Sequence, residues 1–91
     1  MLRLEWTDEA AEDLQQIVDY ISDFDLEAAL KLRDRLVTCA ERLTDFPYMF
    51  TRGRVPGTRE ALAHPNYILV YRVEADAVEI LGVIHARQQY P

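Results

Sequence analysis

The sequence predicts an α+β fold in the order β-α-α-β-β-β: an N-terminal strand and a helical hairpin packed on an antiparallel sheet. Three observations carry this expectation. Two apolar stripes at helical spacing fill the first half, separated only by the short link DFD at 23–25. Aromatic and β-branched runs, YILVYRV (67–73) and AVEILGVIH (77–85), dominate the second half. At the start, Leu2, Leu4 and Trp6 alternate with Arg3 and Glu5, the period of a half-buried strand.

The first helix starts at Thr7, a suitable N-cap, with Asp8 and Glu9 in the first turn where the helix dipole favours anions. Ala10, Leu14, Ile17, Val18 and Ile21 form its apolar stripe, and the helix ends near Ser22. Asp25 caps the second helix, whose stripe runs through Ala29, Leu32, Leu36, Ala40 and Leu43. So short a link implies an antiparallel hairpin, and Pro47 stops the second helix by forcing Phe46 out of helical geometry. The main loop is YMFTRGRVPG (48–57), marked by Gly53, Pro56 and Gly57. TREALA (58–63) follows, then a break at His64-Pro65-Asn66. YILVYRV suits a central strand buried on both faces, and Glu74-Ala75-Asp76 turns the chain into the last strand. Trp6, Tyr67 and Tyr71 are expected in the core, and Tyr48-Met49-Phe50 is expected to pack under the loop.

Ninety-one residues without a repeat suit one domain spanning 1–91, and 49% hydrophobic content is enough for a core. No apolar stretch nears the ~20 residues needed to span a bilayer, and the first thirteen residues lack the features of a secretory signal. Cys39 is the single cysteine, which excludes an intrachain disulfide and fits a cytoplasmic setting. One cysteine and two distant histidines, His64 and His85, give no zinc pattern, and no metal or other cofactor is expected.

The net charge is −6 and unevenly spread. Residues 1–45 hold five basic against twelve acidic side chains, and residues 46–91 hold five arginines against four acids. Stable direct binding of nucleic acid is not expected from an acidic chain, but an anionic partner would meet the arginines of the second half.

Five stretches carry a resemblance: Trp6 ahead of AAEDLQQIVDYI, the FP at 46–47, GTRE (57–60), HPNYILVYRV (64–73) and VEILGVIHARQQYP (78–91). In this order and spacing they resemble the RelE/ParE superfamily of type II toxin–antitoxin toxins, and GTRE, HPNYILVYRV and HARQQYP are closer to its ParE-like branch. The resemblance implies a toxin that inhibits DNA gyrase by binding. It also implies a cognate antitoxin as partner, with a homodimer or a toxin–antitoxin hetero-oligomer as possible assemblies. RelE-like members are instead ribosome-dependent mRNA endonucleases, and a degenerate antitoxin-binding protein without toxicity is a third alternative.

RNA cleavage by 2′-OH attack needs a base, a stabiliser of the dianionic phosphorane and a shield for the leaving oxygen. His85, Arg87, Arg59 and Tyr90 would supply these in the nuclease alternative. The resemblance places an arginine just before NYILVY in nucleases, where this chain has Ala63-His64. A binding toxin needs no catalytic residue. Its expected partner-binding residues are Arg52, Arg54, Arg59, Arg72, Arg87 and Tyr90. Alternation along the last strand puts Leu81, Val83 and His85 on one face, so His85 also has a purely structural reading.

Overall fold

A computed structural model describes residues 2–89. The strand β1 (Arg3–Trp6) leads into two helices, α1 (Asp8–Ser22) and α2 (Leu26–Arg42). Four strands follow: β2 (Thr51–Arg52), β3 (Arg59–His64), β4 (Tyr67–Val73) and β5 (Ala77–His85). They form one five-stranded sheet in the order β1-β5-β4-β3-β2.

Both helix starts are capped as the sequence indicates. Thr7 Oγ1 accepts from the Ala10 N–H at 3.1 Å, and Asp25 Oδ1 accepts from the Ala28 N–H at 3.0 Å. The stripes of α1 and α2 face the sheet. Ala10, Leu32, Leu36, Ala40 and Leu43 share one core with Ala61, Ala63, Leu69, Tyr71, Val78, Ile80 and Val83. Trp6 and Tyr67 pack against its margin. β4 is the middle strand, as its apolar run requires.

Four details differ from the sequence expectation. First, the sheet is mixed, because β1 runs parallel to β5 in the register Leu4↔Val78 and Trp6↔Ile80. Alternation tells which side chains face the core but carries no information about strand direction. A strand followed at once by a helix has no hairpin partner, and here it joins the outer side of β5.

Second, α2 stops at Arg42, ahead of Phe46. The Thr44 hydroxyl donates to the Glu41 carbonyl at 2.7 Å, and side-chain bonding of this kind competes with helix continuation. Third, the main loop contributes β2, which pairs Thr51 with Glu60 and Arg52 with Arg59. Of the YMF triplet only Phe50 reaches the core, while Tyr48 is 66% and Met49 54% exposed.

Fourth, a bulge interrupts the β4–β5 register between Val70↔Gly82 and Tyr71↔Ile80. The extra residue, Leu81, is excluded from the core that Ile80 and Val83 join, so Leu81 does not share a face with Val83.

Candidate functional site

The arginines of the second half are dispersed, and three of them are already engaged. Arg59 opens β3 and turns under the loop: its Nη1 donates to the Phe50 carbonyl at 2.9 Å, and its guanidinium lies 4.8 Å from the Tyr48 ring centroid. This is a cation–π clasp on residues 48–50. Arg72, on β4, pairs with Glu74 and Glu79, each at 2.8 Å. These exposed bonds raise its already high pKa, the Glu79 hydrogen bond most of all. Arg54 pairs with Glu60 on β3. The Arg52 and Arg87 side chains make no ion pair among the described residues, and both residues are exposed. Tyr90 lies outside the described residues.

His85 closes β5 and starts a tight turn. Its Nδ1 accepts from the Arg87 N–H at 3.1 Å, and its carbonyl accepts from the Gln88 N–H at 2.9 Å. Its own N–H donates to Gln88 Oε1 at 3.3 Å. The ring meets Tyr67 edge-on at 5.5 Å between centroids. His64 repeats the arrangement on the other side of Tyr67: its Nδ1 accepts from the Asn66 N–H at 3.0 Å, and the ring centroids lie 5.8 Å apart. Burial, and then the charge of Arg35, hold the His64 pKa below its ordinary value.

Register measures the distance between the two ends of the nuclease set. Arg59 stands opposite Tyr71, and His85 stands opposite Tyr67. Four residues of strand separate these positions, about 13 Å along the sheet at ~3.3 Å per residue. His85 and Arg87 are therefore neighbours, and Arg59 belongs to a different end of β4.

Two helix side chains that the sequence reading passed over sit at the open parts of the sheet. β1 pairs with β5 only as far as Ile80, so among the described residues no strand lines the outer edge of β5 from Leu81 onward. There Asp13 Oδ2, from α1, accepts from the Val83 N–H at 3.1 Å. At the opposite edge, beyond β2, Arg35 Nε from α2 donates to the Ala63 carbonyl at 3.0 Å. Each charged side chain takes the place of a missing strand. Their sequence signal was faint: Asp13 and Arg35 each lie beside the apolar stripe of their helix rather than opposite it.

A groove of about 670 Å³ follows the free edge of β5, walled by Asp13, Gln16, Tyr20, Tyr67, His85 and Gln88. A second, of about 490 Å³, lies between α2 and β3 and takes in Cys39, Met49, Phe50 and Leu62. Burial pushes the Cys39 thiol up, against the pull of Arg42 and Arg35, so the thiolate is disfavoured there. Among the described residues, no group of three or more His, Cys, Asp and Glu side chains is placed to hold a metal ion. No helix among them is long and apolar enough to cross a membrane.

Comparison with known proteins adds a family to this geometry. Residues 4–90 match the family model described as the ParE toxin of the type II toxin–antitoxin system parDE. The toxin candidate Y4kP of Sinorhizobium fredii is 41% identical over 90 residues, covering 98% of this chain and 93% of that protein. Toxin RelE2 of Caulobacter vibrioides is 36% identical over 88 residues, covering 94% and 97%. A solved structure of a chromosomal ParDE system from P. aeruginosa superposes with a TM-score of 0.80 at 29% identity, covering 93% of this chain and 96% of that one.

Proposed function

The chain belongs to the ParE toxin family of type II toxin–antitoxin systems, and from that premise we propose that it arrests growth by binding DNA gyrase, without hydrolytic chemistry. A type II toxin has a cognate antitoxin as its partner, and in this reading the antitoxin neutralises it in the cytoplasm.

The observation that supports a binding toxin best is the separation of Arg59 from His85 and Arg87. Phosphodiester cleavage needs its base and its phosphate ligands around one reacting phosphorus. Here the arginines are spread over β2, β3, β4, the loop and the turn after β5, and three of them are already engaged within the chain. A gyrase poison needs a chemically specific surface, and Arg52, Arg87 and the turn after His85 offer one.

The purified protein should abolish supercoiling of relaxed plasmid by gyrase, or trap cleaved DNA, at near-stoichiometric ratios. Gyrase that works normally under an excess of the protein would overturn the reading. One observation favours a second reading, ribosome-dependent mRNA cleavage: the 36% identity to a toxin named RelE2. Codon-periodic cuts in translated mRNA that disappear in His85→Ala and Arg87→Ala would establish it in place of the first.

A further inference from the structure

Two segments far apart in the chain meet through one side chain. The 53–58 loop is closed on itself: the Gly53 N–H donates to the Thr58 carbonyl at 2.8 Å, and the Thr58 hydroxyl donates to the Val55 carbonyl at 2.6 Å. A Cβ at residue 53 would overlap the Thr58 side chain, so glycine is required for this closure. Arg54 projects from the closed loop toward β3. Its backbone N–H donates to Glu60 Oε2 at 2.8 Å, its Nε to the same oxygen at 3.1 Å, and its Nη2 to Oε1 at 3.2 Å. The Glu60 side chain is only 14% exposed. Burial alone would raise its pKa, but the bonds and charge of Arg54 outweigh burial and hold the carboxyl below its ordinary range.

Both carboxylate oxygens are thus occupied by one arginine, which fixes the plane of the guanidinium. Nη1 remains, and it reaches the Gln88 carbonyl at 3.4 Å. The segment it meets is itself a compact turn, held by the Gln88 N–H on the His85 carbonyl and by the Ala86 N–H on the Asn66 carbonyl at 2.8 Å. Residues 53–58 and 85–88 therefore border one another, with Arg54 between them.

We propose that Arg54 is a positioning residue: oriented by Glu60, it ties the C-terminal turn to the 53–58 loop, so that the two act on the toxin's target as one surface. The inference rests on the toxin reading above but not on the identity of the target. Lysine cannot replace arginine here, because one ammonium cannot chelate both carboxylate oxygens and also reach the carbonyl.

The test uses the full chain carrying Arg54→Lys, Arg54→Ala or Glu60→Gln, released from its antitoxin. Amide hydrogen exchange reports on the turn, and growth arrest on induction reports on the target. Losing a charge-assisted bond should speed exchange at Ala86 and Gln88 by about tenfold, while the β4 and β5 amides keep their protection. Potency in growth arrest should fall by a similar factor in Arg54→Lys, the mildest change, and at least as far in Arg54→Ala and Glu60→Gln. Unchanged exchange at Ala86 and Gln88 in Arg54→Lys and Arg54→Ala would overturn the inference. So would faster exchange in the turn with growth arrest at full potency. Since growth arrest is read whichever enzyme is the target, failure of the gyrase reading leaves this test intact.

Discussion

Tyr71 shows how one side chain joins two kinds of information. Its ring is fully buried at the centre of the sheet, as its place in an apolar strand indicates. Its hydroxyl donates to the Pro47 carbonyl at 2.7 Å, and burial raises its pKa further above neutrality. That partner lies 24 residues away in the loop and leaves no trace in the local pattern. Tyr71→Phe keeps the packing and orphans the carbonyl, so urea denaturation should show a loss of about 1–2 kcal/mol with unchanged secondary structure by circular dichroism. Arg59 teaches the same lesson in reverse. The sequence offers it as a partner-binding arginine beside a loop, and does not show that the Phe50 carbonyl and the Tyr48 ring contact its side chain. Residue type and position in the chain were legible; engagement was not, because it depends on which distant groups the fold delivers.

At the scale of elements, β5 depends on both of its sides. β4 covers one side throughout, whereas β1 covers the other only to Ile80. Asp13 takes over at Val83, and a strand edge left bare is a template for pairing with another chain. Asp13→Ala should cost about 1–3 kcal/mol in chemical denaturation and increase self-association by light scattering. Asp13→Asn, whose amide oxygen can still accept the Val83 N–H, should recover most of both. Helix positions, caps and the central place of β4 could be read directly, because periodicity and capping are local. The direction of β1 and the bulge at Leu81 could not. Both arise where strands from distant parts of the chain must fit together, and a single extra residue there moves Leu81 out of the face that alternation assigns it.

At the scale of the whole molecule, the acidic and basic halves of the sequence keep their imbalance, while ion pairs engage several of the arginines. Arg3, Arg54 and Arg72 each face carboxylates, so much of the positive charge near the sheet is met internally. Affinity for a cognate antitoxin should therefore weaken by less than about tenfold between 50 and 500 mM NaCl, as seen by calorimetry, because these three arginines already face carboxylates of the same chain. A much steeper loss would mean that the internal pairs open to engage the partner. The pairing of β1 with β5 has a consequence in time as well as in space. Thr7, which caps α1, bonds to the Ile80 carbonyl from 73 positions earlier in the chain. The first strand emerges from the ribosome early but has no neighbour until the last strand has been made. Until then α1 lacks the β5 surface it packs against, and a chain cut short before β5 cannot complete the sheet. The sheet, and any surface it supports, is therefore complete only once β5 has been made and paired on both of its sides.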